Sequence, residues 1–306
     1  IIPSNLTLEE EREACRALKG SMLRQEVYAD DADHPGATQE QIQRARRPYT
    51  VTEQNFTIRT LQALDNNRHA VFFTHARESL SYHYERNPTD PRIQHALTLE
   101  VDDYGNVLKQ AAISYGRRTS PLADDWDRKR QTTALLTYSE NRVTNPIDSP
   151  DTHRNPLPCE AVTFELTGYT TTGPAGRYQA SDFVEPDPAT PGRLRHRFTA
   201  PEVAYEVTAT GNQRRRPIEQ LRTLYRRDDL GSLLPLGELH PLALPGESYK
   251  LAITPGSLDQ VYVRGSHRLM PANPASVLAG AGADRGGYVD LDNNGHWWIP
   301  SGRMFH

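Results

Sequence analysis

The chain has little of what catalytic and membrane machinery is usually built from. Its 306 residues include two cysteines, Cys15 and Cys159, and no Cys-x-x-Cys pair. That excludes a zinc ribbon, a thioredoxin-type motif and a disulfide scaffold, although a single bridge between the two stays open. No apolar run approaches the roughly 18 residues that a membrane helix needs. Ala70-Val71-Phe72-Phe73 is typical of the longest runs, so no membrane insertion is expected. There is no Gly-x-Ser-x-Gly nucleophile elbow, no phosphate loop and no dinucleotide fingerprint. Lysine is scarce: only Lys19, Lys109, Lys129 and Lys250 stand among 35 basic residues, and the rest are Arg. Against 39 acidic residues the net charge is −4, which argues against a nucleic-acid-binding surface.

What is present describes a hydrophilic but foldable chain. Mean hydropathy is −0.70 and the hydrophobic fraction is 36%. With 14 Tyr, 7 Phe and 3 Trp it still has enough to bury, which sets it apart from a disordered composition. The length suits one large domain or two medium ones. The chain opens Ile1-Ile2-Pro3, without Met and without a signal-peptide pattern. It reads as a segment of a longer polypeptide, with targeting information outside it.

The first segment is helical. Thr7 suits an N-cap, Glu10 completes a capping box, Lys19 falls in the last turn and Gly20 stops the helix. Met22 to Tyr28 reads as a short strand and Asp30 to Arg47 as a polar loop. Strands then dominate, at Tyr49–Thr52, Asn55–Leu61, His69–His75 and Glu78–Arg86. The clearest local signal is a hairpin: Ile93–Val101 and Val107–Tyr115 flank Asp102-Asp103-Tyr104-Gly105-Asn106, with Gly where φ > 0 is needed. Further strands are expected at Gln131–Ser139, Cys159–Tyr169, Gly176–Phe183, Ala204–Ala209, Ser248–Ile253 and Gln260–Val263. Pro217 to Arg227 reads as a second helix, with Ile218, Leu221, Leu224 and Tyr225 on one face.

Four constellations carry possible chemistry. Asp290-Leu291-Asp292-Asn293-Asn294-Gly295 opens like a calcium loop, with Asp290, Asp292 and Asn294 as the candidate metal ligands. Its twelfth position is Ser301 rather than Glu, and a strand-like His296-Trp297-Trp298-Ile299 follows, so a plain β-turn competes. Calcium is the one cofactor it suggests. Among eleven His, three on one sheet face (His69, His75, His83 or His95) are a conceivable zinc set, against ordinary structural histidines. Trp297-Trp298 and the tyrosine-rich strands suit either sugar stacking or the core. Asp124-Asp125 and Asp228-Asp229 are adjacent and point apart in a strand, so neither is an acid/base dyad. The Arg214–Arg216 and Arg226-Arg227 runs read as local ion pairs.

Several runs resemble a known family. Gly20-Ser21-Met22-Leu23-Arg24-Gln25-Glu26-Val27-Tyr28, Pro48-Tyr49-Thr50-Val51-Thr52-Glu53-Gln54-Asn55-Phe56 and Glu78-Ser79-Leu80-Ser81-Tyr82-His83-Tyr84-Glu85-Arg86-Asn87-Pro88 look like the B component of bacterial Tc insecticidal toxin complexes. Leu97 to Leu108 and Tyr115-Gly116-Arg117-Arg118 complete the densest block, which is similar to that component's middle/C-terminal region. Tyr138–Asn145, Arg222–Leu230 and Gly287–Asp292 fit more sparsely. The resemblance implies a mainly β fold: an antiparallel, hairpin-built sheet of an RHS/YD-repeat-like shell, with two short helices. It divides the chain into a helical lead-in (1–19), a β-rich B-component region (20–118) and a continuing β-rich shell segment (119–306).

The implied function is structural. The family's shell is a hollow cocoon, made with the C component, that encloses a cytotoxic effector. The effector leaves through the A-component pore, which another part of the B component engages. The expectation is therefore a secreted, non-catalytic wall segment of a virulence toxin, with no catalytic residue to name. The alternative is a β-rich carbohydrate- or calcium-binding module centred on Asp290, Asp292, Asn294 and Trp297-Trp298.

Overall fold

Thr7 starts the first element. Its hydroxyl accepts from the Glu10 amide at 3.3 Å, and the Glu10 carboxylate accepts from the Thr7 amide at 2.9 Å. This is the expected capping box, and helix α1 (Leu8–Arg16) follows it. Gly20 then takes φ +88°, a conformation that costs little without a Cβ. The second Glu10 oxygen accepts from the Leu64 amide at 2.9 Å, tying the cap to the turn after a strand. The structure, a computed structural model, describes residues 1–197, 202–209, 211–280 and 282–304.

A second capping box, Thr38 with Gln41, nucleates α2 (Gln39–Ala45) inside the stretch expected to be loop. None of its residues is buried, so no apolar periodicity betrayed it. A third helix, α3 (Asp125–Thr132), is capped by Asp124, whose Oδ1 accepts from the Trp126 and Asp127 amides at 2.9 and 3.0 Å. It replaces the start of the strand expected at Gln131. Two short helices, α4 (Pro255–Gln260) and α5 (Ala275–Leu278), complete the set.

Sixteen strands are described. They are β1 (Arg24–Val27), β2 (Thr50–Gln62), β3 (Val71–His83), β4 (Arg92–Val101), β5 (Val107–Ser114), β6 (Leu135–Val143), β7 (Ile147–Ser149), β8 (Thr152–Arg154), β9 (Pro158–Thr167), β10 (Val184–Pro186), β11 (Leu194–His196), β12 (Arg214–Tyr225), β13 (Pro245–Ile253), β14 (Val263–Arg264), β15 (His267–Arg268) and β16 (Trp297–Arg303). The main sheet runs β1-β2-β3-β4-β5-β6-β9-β12-β13-β16, in chain order, and the remaining strands form three two-stranded hairpins. The pairings β1–β2, β2–β3, β3–β4, β9–β12, β12–β13 and β13–β16 are antiparallel. The fold is thus mainly β and hairpin-built, as expected, with five helices instead of two.

Several expectations need correction. Tyr49–Thr52 with Asn55–Leu61, and likewise His69–His75 with Glu78–Arg86, are each one long strand. In β3 the break is a bulge, with Arg77 the extra residue opposite Asn55 and Phe56, whereas Glu53 and Gln54 of β2 pair regularly with Leu80 and Ser79. Pro217–Arg227 is not a helix but the core of β12, paired to β9 on one side and β13 on the other. A bulge with Ile218 as its extra residue lies between Pro217 and Glu219, at the start of the i, i+3 apolar spacing. Gly176–Phe183 forms two single 3-10 turns, Ala204–Ala209 forms no strand, and Gln260–Val263 is the end of α4 plus a residue of β14.

Two compact units interleave along the chain. The first comprises Ile1–Leu99, Gln110–Leu136 and Gly173–Ala180. Its buried side chains are mostly aliphatic: Val51, Ile58, Leu80, Leu97, Ala111 and Ile113, with His95 among them. The second comprises Glu100–Lys109, Thr137–Thr172 and Ser181–His306. It packs Cys159, Tyr225, Leu234 and Leu239 into one cluster and Ile253, Leu278 and Trp297 into another. Elsewhere the sheet carries ion pairs between register partners: Arg24 with Glu53, Arg216 with Glu165 and Arg222 with Glu160.

Candidate functional site

Two constellations of titratable side chains lie on the sheet, one in each unit. In the first, β4 puts His95 opposite Leu80, and the ring is 1% exposed. Its Nε2 lies 2.9 Å from Glu78 Oε1, and its Nδ1 lies 3.0 Å from the Tyr115 hydroxyl. Burial pushes the His95 pKa down, and Arg177 adds to this against the pull of Glu78. The neutral ring has a single N–H. A carboxylate can only accept, so that hydrogen sits on Nε2, and the Tyr115 hydroxyl donates to Nδ1. The Tyr115 oxygen accepts from the Tyr178 amide at 3.0 Å, and Glu78 Oε2 accepts from Asn55 Nδ2 at 2.7 Å. The chain of bonds therefore runs Tyr178, Tyr115, His95, Glu78, Asn55. The sequence signal for it was the aromatic strand Glu78–Arg86, but the partner from Tyr178 lay too far along the chain to foresee.

In the second unit, β6 carries Tyr138 and Glu140 on one face. Tyr138 is 0% exposed, and its hydroxyl donates to Glu140 Oε1 at 3.3 Å. His196 of β11 approaches the same oxygen at 3.0 Å, with its ring 4.3 Å from that of Tyr138. Arg215 of β12 adds a bond at 3.4 Å and lies over Phe164. Burial pushes the Glu140 carboxyl up, but His196, Arg215 and Tyr138 outweigh it and hold the pKa below its ordinary value. Burial, then Glu140, drives the Tyr138 phenol far up. Beside this cluster a groove of about 390 Å³ is lined by Glu100, Lys109, Glu140, Arg142 and Glu160. Lys109 pairs with Glu100 at 2.6 Å and Glu160 with Arg222 at 2.7 Å, while Arg142 donates to the Leu236 carbonyl at 3.4 Å.

The calcium-like loop is a tight turn. Asp290 Oδ1 and Oδ2 accept from the Asn294 and Gly295 amides at 3.1 and 2.9 Å. Asp292 instead faces Arg222 at 2.7 Å, and Asn294 Oδ1 accepts from the His296 amide at 3.0 Å. Asn293 and Gly295 take φ +53° and +81°. Trp297 and Trp298 are 6% and 1% exposed, so they are core, with Arg222 stacked 4.4 Å from the Trp298 ring. The candidate zinc histidines do not converge: His69 pairs with Glu13 at 2.9 Å while His95 is buried in its own network. Among the described residues no group of three or more His, Cys, Asp or Glu is placed to hold a metal ion. Arg227 pairs with Asp229 at 3.5 Å and Arg216 with Glu165, so the basic runs are local ion pairs.

In chemical terms both histidine clusters pair a base and an acid: His95 bonds to Glu78 and Tyr115, and His196 bonds to Glu140. Asn55 Oδ1 is buried without a partner, while most of the clusters' donors and acceptors are taken up by one another. That is the pattern of groups that fix a sheet's register rather than of groups waiting for a substrate.

Comparison with known proteins follows this geometry. Residues 13–155 match the family described as the insecticide toxin TcdB middle/C-terminal region. Among solved structures, the Photorhabdus luminescens Tc holotoxin pore with a mutated TccC3 aligns at 21% identity and TM-score 0.61, over 97% of this chain and 13% of that one. The TcdB2–TccC3 crystal structure aligns at 20% identity and TM-score 0.62, over 99% and 13%. TcdB2–TccC3 without its hypervariable C-terminal region aligns at 22% identity and TM-score 0.61, over 98% and 13%. The chain thus spans 13% of the length of each of these solved chains. No curated protein matches. The fold is that of these toxin components, and residues 13–155 are a B-component-like region, as the sequence resemblance implied. No helix among the described residues is long and apolar enough to cross a membrane.

Proposed function

We propose that this chain is a non-catalytic structural part of a Tc toxin B component. In this reading it forms wall of the hollow RHS cocoon, made with the C component, that encloses a cytotoxic effector. The effector is delivered through the A-component pore, which a different part of the B component engages, and the assembled complex is secreted. The observation that carries the reading is the match of residues 13–155 to the TcdB middle/C-terminal region. The form of the sheet supports it. Ten strands in chain order are what successive hairpins produce, each leaving an edge for the next. Register partners tied by ion pairs suit a sheet with water near both faces better than a sealed sandwich.

The test uses the parent polypeptide assembled with its C component. Added protease should leave the enclosed effector intact. The double variant Arg222→Glu, Trp298→Ala removes a buried ion pair and the ring beneath it. In a wall, this breach should speed effector digestion at least about tenfold while the assembly still forms. Equal protection in the wild type and the variant would refute the reading.

A further inference from the structure

We propose that Gly173–Ala180 is a strap fastened to the sheet of its own unit through the Tyr115–His95–Glu78 chain, and that acidification releases it. The strap has little regular structure. Gly173 and Arg177 bond across a single turn at 3.1 Å, and Ala175 takes φ +56°. Among its contacts to the sheet, the Tyr178 amide donates to the Tyr115 hydroxyl at 3.0 Å, and Arg177 donates to the Tyr82 hydroxyl at 2.7 Å. The Tyr178 ring, 6% exposed, packs 6.1 Å from that of Tyr115.

The Tyr115 hydroxyl is where the two parts meet. It has one hydrogen and two lone pairs. With His95 neutral, that hydrogen goes to Nδ1 and a lone pair takes the Tyr178 amide. A protonated Nδ1 becomes a donor. The hydroxyl must then accept from both sides, and its own hydrogen loses its acceptor in a buried site.

Of the charged groups around His95, Glu78 favours the protonated ring and Arg177 opposes it, and burial tips the balance toward the neutral form. Glu78 on β3 faces Nε2 and is its counter-ion, with Asn55 of β2 on the other Glu78 oxygen. From the strap comes Arg177, a cation whose field opposes a second positive charge. Tyr82 on β3 and Tyr115 after β5 have pKa values pushed up by burial, so both are neutral phenols through the range concerned. Burial and Arg177 together favour a hydrated ring, so protons bind more tightly to the open form. Linkage then raises the open population by up to about tenfold per pH unit below 6.5, until the buried ring itself titrates.

Hydrogen exchange of the Tyr178 amide in the whole chain tests this, with each rate divided by the intrinsic rate at that pH. From pH 7.5 to 5, protection at Tyr178 should fall about tenfold or more, while the Ser79 amide in β3 holds. In His95→Gln, which carries no titrating ring, protection should be the same at both pH values. Should that variant fail to fold, Tyr115→Phe keeps the ring and removes the hydroxyl. Its Tyr178 amide should already exchange fast at pH 7.5, with no further change. In the wild type, loss of protection should share its midpoint with the His95 ring resonances. Constant wild-type protection, an equal fall in His95→Gln, or a His95 midpoint unrelated to the fall would each overturn the proposal.

Discussion

The clusters around His95 and around Glu140 use the same three side chains, yet burial falls on different members. In the first unit the histidine is sealed, with its side chain at 0% and that of Glu78 at 26% exposure. In the second the tyrosine is sealed, while the side chains of His196 and Glu140 keep 16% and 35%. Arg215 also joins the second cluster and favours the charged carboxylate. Burial decides the state of His95, whereas at Glu140 the hydrogen bonds and charges of its partners outweigh burial. One cluster holds a neutral imidazole and the other a charged glutamate.

The largest expected effect strikes the second cluster at its sealed member. Tyr138→Ala removes a fully buried ring that packs on Phe164 and His196, and should cost about 4 kcal/mol in urea unfolding. A cost below about 1 kcal/mol would show that the ring is not core. The histidines should differ next. His95→Ala leaves Glu78 and Tyr115 without their shared partner and should cost about 3 kcal/mol. His196→Ala breaks a partly exposed pair and should cost about 1 kcal/mol or less. Equal costs would erase the comparison.

A pH series sharpens it. The folded value of His95 lies below its ordinary 6.5, so its contribution is full above pH 6.5 and is lost as pH falls through the folded value. The folded value of Glu140 lies below 4.5, so its contribution is present above pH 4.5 and is lost only further down. Between pH 6.5 and 4.5, hydrogen exchange should quicken around His95 before it quickens around Glu140. The reverse order would assign the states wrongly. The smallest effect concerns the Asp290 turn. Its carboxylates serve two backbone amides and Arg222, so millimolar calcium should move the melting temperature by less than about 1 °C. A rise of several degrees would revive a calcium site at Asp290, Asp292 and Asn294.

Much of the β framework was legible because it was local. Thr7 with Glu10 announced α1. The hairpin was written in Asp102–Asn106, where Asp102 Oδ1 accepts from the Tyr104 and Asn106 amides at 2.9 and 2.8 Å and Gly105 takes φ +92°. What stayed hidden was non-local or compensated. The i, i+3 apolar spacing in β12 imitates a helix, and two-sided pairing decides the matter in space. Helices α2 and α3 bury nothing, so their caps were their only mark. The burial of His95 depends on Tyr178, 83 positions later in the chain, and nothing in the sequence joins them. The Asp290 motif shows the opposite failure. A ligand-like spacing of acids is read from sequence alone, whereas the geometry spends those oxygens on turn amides and an arginine.

The central claim, that this chain is wall of a toxin shell, is tested most directly by electron microscopy of the parent polypeptide assembled with its C component. The account predicts that the sheet from β1 to β16 lies in the wall of a closed cavity, with one face toward the enclosed effector. A self-contained module projecting from the shell, with neither sheet face toward a cavity, would contradict it.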